Sequence, residues 1–210
     1  MLVSPGKYPE ALNLKSGVAL QADPSGEVVL TEQVTAKNVK DAKIEGFKIV
    51  GGTEESHFAT FSESSTLVAR KNLILNWHHA LTANFSKLIA EENTISGSYR
   101  AGASTGIDLF SCSDSITKGN KIIDNEGSAV IVTDPLGSIS VVDNIISRNT
   151  GNGIECTNAT LKVKFRKNLI ADNEVGIWIK SGNPDFGTAS DFGLNAIHSN
   201  RKLDFINLGK

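Results

Sequence analysis

Short runs in which apolar and polar residues alternate fill most of the chain from Leu67 onward. Three such runs, "GIECT", "TLKVKFRK" and "NLIAD", follow one another between Gly153 and Asp172. Alternation with a period of two is typical of a β-strand that buries one face. The segments between the runs are too short for a helix, so the pattern predicts strands that are joined by tight turns.

Asparagines mark a repeat within this pattern. The phrases "GNKIIDNEGSAVIV", "DNIISRNTGNGI" and "KNLIADNEVGIWI" resemble one another, and a second asparagine follows the first after five residues. A fixed period of roughly 20–50 residues indicates a solenoid, a propeller or an array, and a propeller blade needs roughly 40 residues. Three strands in about 24 residues therefore fit one triangular coil of a parallel β-helix. The first asparagine of the phrase recurs at Asn72, Asn93, Asn120, Asn144, Asn168 and Asn195, in steps of 21, 27, 24, 24 and 27 residues.

The repeat predicts an all-β fold, a single-stranded parallel β-helix of about 7–8 coils that forms a rod roughly 35 Å long. We expect one domain over 1–210, with less regular starting coils in 1–65, regular repeats in 66–182, and a loop plus a last coil in 183–210. Equivalent side chains of successive coils stack, so the six asparagines predict an inward ladder of amide hydrogen bonds. Loss of one rung would leave buried backbone unpaired and cost about 1–3 kcal/mol.

Two longer phrases resemble a known group of proteins. "GIDLFSCSDSITKGNKIIDN" and "GIECTNATLKVKFRKNLIADN" resemble the PbH1-type repeats of the pectate-lyase superfamily. "PGKYPEALNLKSGVALQAD" and "GNPDFGTASDFGLNAIHSN" are similar to DUF1565, a bacterial group defined only as a domain of unknown function. The resemblance implies a right-handed β-helix whose enzymes work on one strand face, in a groove bordered by turn loops. This fold also carries adhesins and phage spikes, so function has to be argued from the site.

The composition restricts the classes of binding partner and the cellular location that we expect for the protein. The net charge of −2 argues against a dedicated nucleic-acid partner, and no apolar run approaches the roughly 20 residues that span a membrane. The first residues lack the basic and apolar segments of a signal peptide, and we expect the N-terminus to be truncated, without the segment that caps the first coil. An uncapped coil exposes strand edges, so end-to-end self-association is a further expectation. The resemblance favours an extracellular or cell-surface location. Cys112 and Cys156 are too few for a disulfide scaffold and are expected to be buried and free.

Alternation assigns the outward side chains of one strand face. Ile107 and Leu109 point inward in "GIDLF", so Asp108 and Phe110 point outward. The same reasoning on the equivalent strands gives two outer columns. The first contains Thr82, Asp108, Ile131, Glu155 and Trp178, and the second contains Asn84, Phe110, Thr133, Thr157 and Lys180.

This face carries the candidate chemistry for a polysaccharide. Asp108 and Glu155 lie two coils apart, about 9.6 Å between backbones, and inverting glycosidases hold their carboxyl groups roughly 6.5–9.5 Å apart. Trp178, and with it Phe110, offers a flat apolar surface for a sugar ring. Lys180 could hold a uronate carboxylate, and Arg100 in the preceding long turn could add charge. The alternative is that these charges only solvate the strand face.

Three other features of the sequence give weaker indications of function. The segment 181–193 has the composition of a surface loop, with Phe186 or Phe192 packed on the rod. Adjacent His78 and His79 point in different directions and have no ligand partner at metal spacing, so we expect no metal and no cofactor. A basic stripe is predicted on the second strand, with Lys162, Lys164 and Arg166 outward and Leu161, Val163 and Phe165 inward.

Three functions remain open. The first is a carbohydrate-binding or carbohydrate-active β-helix that engages a polysaccharide along the outer face. The second is a non-catalytic structural or adhesive rod, and the third is a self-associating module. The "DD", "GHG" and "RIK" signatures of polygalacturonases are missing from the sequence, which weakens the enzymatic alternative.

Overall fold

The computed structural model describes residues 1–51, 57–99 and 104–209. Over these ranges the chain forms 26 strands and no helix. Accordingly, the described ranges contain no helix that is long and apolar enough to cross a membrane. The strands form three sheets, and every pairing between strands is parallel.

Each sheet takes every third strand of the chain. Sheet 1 contains β1 (Leu2–Val3), β4 (Ala19–Ala22), β7 (Ala42–Glu45), β10 (Thr66–Arg70), β13 (Lys87–Glu91), β16 (Ser115–Lys118), β19 (Ile139–Val142) and β22 (Val163–Arg166). Sheet 2 contains β2 (Gly6–Tyr8), β5 (Val28–Leu30), β8 (Lys48–Val50), β11 (Leu73–Leu75), β14 (Thr94–Ser96), β17 (Lys121–Ile123), β20 (Ile145–Ser147), β23 (Leu169–Ala171) and β25 (Ala196–His198). Sheet 3 contains β3 (Leu12–Asn13), β6 (Val34–Lys37), β9 (Phe58–Glu63), β12 (His79–Asn84), β15 (Ser104–Phe110), β18 (Gly127–Thr133), β21 (Ile154–Thr157), β24 (Val175–Ile179) and β26 (Leu203–Asn207).

Three consecutive strands therefore make one coil, and about eight coils stack into a right-handed parallel β-helix. Equivalent residues pair from coil to coil; for example, Leu67 pairs with Leu88 and Ile107 pairs with Val130. The inward side chains of the three sheets fill a continuous core of mainly Ile, Leu, Val and Ala. The all-β fold expected from the repeat is confirmed.

The predicted asparagine ladder is also confirmed. Asn144 shows the pattern: its Nδ2 donates to the Asn168 Oδ1 at 3.0 Å and to the Thr117 carbonyl oxygen at 2.9 Å. Its Oδ1 accepts from the backbone N–H and from the Nδ2 of Asn120. Each amide thus satisfies buried polar groups of the neighbouring coils, which would otherwise be costly to bury. The same bonds join Asn72, Asn93, Asn120, Asn144, Asn168 and Asn195 in order.

A second ladder follows the first at the next corner, between sheets 2 and 3. It joins Asn125, Asn149, Asn173 and Asn200 through side-chain amides. Each rung is preceded by a turn residue in the left-handed conformation, such as Asp124 at φ 57°. That conformation bends the chain sharply within one residue, so the asparagine side chain can enter the core while the next strand begins.

The expected basic stripe on the second strand is wrong at Leu161, whereas Lys162 and Lys164 are exposed as expected. Leu161 is 64 % exposed rather than inward, because Thr160 and its neighbours form a turn and β22 begins only at Val163. Arg166 is not a free cation, since its guanidinium bonds to Asp185 Oδ2 at 2.7 Å and to Asp191 Oδ2 at 2.9 Å. Two acidic residues of the loop neutralise it, so Lys162 and Lys164 are the exposed cations of the stripe.

The same loop is held by an aromatic contact. Phe186 stacks on Phe165 with ring centroids 4.8 Å apart and packs against the core, whereas Phe192 is 76 % exposed. One of the two expected aromatic anchors is therefore used. Cys112 and Cys156 are buried and free, as expected.

Candidate functional site on the outer face of sheet 3

The register of sheet 3 sets the order of the outward side chains. Thr82 pairs with Asp108, Asp108 with Ile131, Ile131 with Glu155, and Glu155 with Trp178. The first predicted column is therefore continuous in the structure. In the second column the register joins Asn84, Phe110, Thr133 and Thr157, and Lys180 follows at the end of the next strand.

Trp178, Lys180 and Glu155 form one cluster. The Lys180 ammonium lies 4.9 Å from the centroid of the Trp178 ring and is ion-paired with Glu155 Oε1. The other carboxylate oxygen of Glu155 accepts a bond of 2.9 Å from Asn152 Nδ2. A cation held over an indole face and bonded to a carboxylate is fixed in position. Trp178 remains partly exposed.

This cluster forms one side of a groove of about 420 Å³. Most of the other groove residues carry a hydroxyl, an amide or a carboxylate. Ile131 and Trp178 are its large apolar groups. The polar lining residues are Ser104, Thr105, Ser128, Thr150, Asn152, Glu126, Glu155 and Glu174.

Asp108 lies two coils before Glu155 in the same outer column, and the environments of the two carboxyl groups differ. The structure gives Asp108 no hydrogen bond and no ion pair among the described residues, and the side chain is mostly buried. Burial raises the pKa of Asp108 from 3.8 to about 6, and the nearby charge of Glu155 acts in the same direction. The Ile131 side chain lies between the two carboxyl groups in the column.

Two other predicted residues, Phe110 and Thr82, do not line the groove. Phe110 makes an edge contact with Phe85, whose ring centroid is 5.7 Å away and whose side chain is 58 % exposed. Thr82 is only 5 % exposed, so it contributes little outer surface although its register is outward. Arg100 lies outside the described residues.

A histidine cluster at the start of the face was not expected from the sequence. The His78 and His79 rings lie 4.1 Å apart, and the His57 ring lies 5.8 Å from His78. His79 Nδ1 is hydrogen-bonded to Thr105 Oγ1 at 2.7 Å. Burial, and then the neighbouring histidines, lower the pKa of His79 to about 4, so this ring is neutral at pH 7. The described residues contain no group of three or more His, Cys, Asp or Glu that could hold a metal ion.

A second aromatic group was also missed. Phe58 and Phe61 lie in β9 with ring centroids 5.2 Å apart, and the Lys37 ammonium lies 6.0 Å from the Phe61 centroid. The segment "HFATFSE" gives only a partial signal, because alternation places two residues that are three apart on opposite faces of a strand. It lies among the first 65 residues, where the ladder phrase is missing and the register is harder to assign.

A comparison with protein-family models agrees with the architecture. A family model described as "Right handed beta helix region" matches residues 33–191. No curated protein matches the chain in sequence. Among solved structures, the A-module of the mannuronan C-5 epimerase AlgE4 from Azotobacter vinelandii is 11 % identical, with a TM-score of 0.45, and the match covers 100 % of this chain and 90 % of that one.

Two further solved structures are similar at the same level. The periplasmic alginate epimerase AlgG is 13 % identical with a TM-score of 0.43, and the match covers 95 % of this chain and 74 % of that one. The pectate lyase Pel9A is 12 % identical with a TM-score of 0.42, covering 93 % and 63 %. These likenesses concern the path of the chain and carry no substrate to it. The family model matches most of the length of the chain, and the chain therefore belongs to the right-handed β-helix family.

Proposed function

We propose that the protein binds a polysaccharide along the outer face of sheet 3. The observation that carries the proposal is the distribution of aromatic side chains. In the strands of sheets 1 and 2 the only Phe, Tyr or Trp residues are Tyr8 and Phe165, and both pack against the core. Sheet 3 instead has Phe61, Phe110 and Trp178 on its outer columns.

The groove beside Trp178 has the two kinds of surface that a sugar needs. A pyranose has an apolar face that packs on an aromatic ring and hydroxyl groups at its edge that need polar partners. Trp178 gives the first, and the hydroxyl and amide groups of Ser128, Thr150 and Asn152 give the second. The ion pair of Lys180 and Glu155 fixes two further polar groups at the same place.

Replacement of Trp178 by alanine tests the binding function. Titration calorimetry against a broad panel of soluble polysaccharides should identify a ligand, and Trp178→Ala should weaken its binding about 30-fold, the effect typical of a central aromatic anchor. Phe192→Ala is the matched control, because Phe192 is exposed in the 181–193 loop and does not line the groove. Absence of binding to every polysaccharide would overturn the proposal and favour a structural or self-associating rod.

A second candidate function is hydrolysis of the bound chain, and the raised pKa of Asp108 favours it. A carboxyl group with a pKa of about 6 can act as a general acid, while Glu155, fixed by Lys180 and Asn152, can act as the base. They lie two coils apart, about 9.6 Å between backbones, which is close to the roughly 6.5–9.5 Å between the carboxyl groups of inverting glycosidases. We expect activity to fall as the pH rises through about 6, because the acid must be protonated.

The reaction products would identify the chemistry. New reducing ends without ultraviolet absorbance indicate hydrolysis. Asp108→Asn should then abolish turnover and leave Trp178-dependent binding in place, whereas Glu155→Gln should abolish turnover and also weaken binding, because it removes the ion pair with Lys180. Reducing ends together with the absorbance of unsaturated sugars indicate a lyase, and Lys180 and Arg100 become the residues to replace. Binding without turnover would restrict the function to glycan recognition.

Two finer proposals accompany this function. We propose that, within the right-handed β-helix family, the chain is a member of the DUF1565 group, on the phrases at its beginning and at 182–200. We also propose an extracellular or cell-surface location, since that is where a polysaccharide ligand would be met.

A further inference from the structure

We propose that Phe58, Phe61 and Lys37 form a second subsite for the same glycan chain, and that this glycan is a long neutral polysaccharide. The proposal rests on the binding function proposed for the Trp178 groove. The second subsite is a cavity of about 320 Å³ that also includes Gln33 and Thr35. It combines two aromatic rings with amide and hydroxyl groups, as the Trp178 groove does.

The two sites are built alike and are collinear. Each has an aromatic residue in the same outer column, and each has a lysine over the ring that is paired with a glutamate: Lys37 with Glu63 at 2.9 Å, and Lys180 with Glu155. Trp178 lies five coils after Phe61 in this column, and at the spacing of paired strands the two residues are about 24 Å apart along the rod. A separation of this size requires a chain of several sugar units.

A neighbouring row of side chains connects the two sites. Phe58 stacks on His79 with ring centroids 5.1 Å apart, and His79 is hydrogen-bonded to Thr105. Thr105 pairs with Ser128 in the next coil, and both line the Trp178 groove. Contacts therefore continue from one site to the other along the edge of the face.

The charges on the face favour a neutral chain. Lys37 and Lys180, the lysines of the two sites, are each occupied by a carboxylate, and His79 between them is neutral at pH 7. Asp108 adds a further carboxyl group between the sites. A polyuronate would bring one negative charge per sugar and would have to displace these ion pairs. A neutral polysaccharide meets no such penalty.

The length of the glycan used as the probe distinguishes the second subsite from the first in a binding experiment. The probes are disaccharides and octasaccharides of β-linked glucose, mannose and N-acetylglucosamine, with polyuronate octasaccharides as the charged comparison, measured by calorimetry. We expect Phe61→Ala to weaken the binding of a neutral octasaccharide about tenfold and to leave disaccharide binding at Trp178 unchanged. Trp178→Ala should weaken both. Phe61→Tyr retains the ring and should retain the affinity, and unchanged disaccharide binding by Phe61→Ala excludes a loss caused by misfolding.

Each result supports or overturns a definite statement. Equal affinity of Phe61→Ala and wild type for the octasaccharide, with an effect of Trp178→Ala, would overturn the second subsite and leave the binding function standing. Tighter binding of polyuronates than of any neutral octasaccharide would overturn the neutral class. Binding of neither class would overturn both the subsite and the function on which it rests.

Discussion

Replacement of Asp108 by asparagine should stabilise the protein at neutral pH. Its carboxyl group is mostly buried, and its pKa is raised to about 6 by burial and by Glu155. The folded state therefore binds this proton more tightly than the unfolded state, whose carboxyl group titrates near the ordinary value of 3.8. By linkage, this group makes the protein less stable as the pH rises from about 4 to about 6.

The size of the effect follows from the two pKa values. They differ by about two pH units, and each unit corresponds to about 1.4 kcal/mol. Ionisation of Asp108 therefore lowers the free energy of unfolding at pH 7 by on the order of 2–3 kcal/mol. Asparagine has nearly the same shape without the charge, so Asp108→Asn should recover much of this free energy, less the penalty for burying its amide.

Urea unfolding at a series of pH values between 4 and 8 measures this effect. The stability difference between Asp108→Asn and wild type should be small or negative near pH 4, grow through pH 6 and level off above it. Asp143→Asn is the control, because Asp143 is an exposed turn residue in the left-handed conformation that asparagine also adopts. A difference that does not change with pH, or a variant that is less stable at pH 7, would refute the assigned environment of Asp108.

Three further predictions concern other parts of the rod. Asn144→Ala removes an interior rung and should lower the free energy of unfolding by about 3 kcal/mol, and Asn195→Ala, at a part-buried rung, should lower it less; equal losses in urea would contradict the ladder account. His79→Gln should remove a loss of stability on acidification from about pH 6.5 to 4, since the lowered pKa of His79 makes its protonation unfavourable in the folded state, and a pH series that is unchanged by the substitution would count against it. Arg166→Ala should speed proteolysis within 181–193, because Arg166 is ion-paired with Asp185 and Asp191 in that loop, and an unaltered cleavage rate would show that other contacts hold it.

The coil period, the ladder and the outer columns could be predicted because each depends on local pattern alone. A repeat of about 24 residues with an inward asparagine sets the register of every following coil, and alternation then assigns the outward side chains. The order Asp108, Ile131, Glu155 and Trp178 follows without any knowledge of tertiary contacts. Leu161 failed the same rule because a turn precedes its strand, and alternation starts only where the strand does.

Side-chain pairing could not be predicted in the same way. The ion pairs of Lys180 with Glu155 and of Arg166 with Asp191 depend on rotamers and on the path of a loop, which alternation does not specify. The contact between His57 and His78 joins successive coils, and the coil of His57 has no ladder phrase to fix its register. The environment of Asp108, which sets its pKa, likewise depends on neighbours from other coils.

Equal spacing of the rungs Asn120, Asn144 and Asn168, 24 residues apart, makes one coil an interchangeable unit of length. Deletion of 120–143 would join equivalent turn positions, remove the coil that contains Ile131, and bring Asp108 and Glu155 into adjacent coils about 4.8 Å apart. That separation is close to the roughly 5–5.5 Å of a retaining glycosidase, whereas the two-coil separation suits an inverting one. In a rod of this kind the number of coils between two side chains sets the distance between them, and a change in coil number could alter both the preferred chain length and the stereochemistry of a reaction while Asp108 and Glu155 themselves are kept.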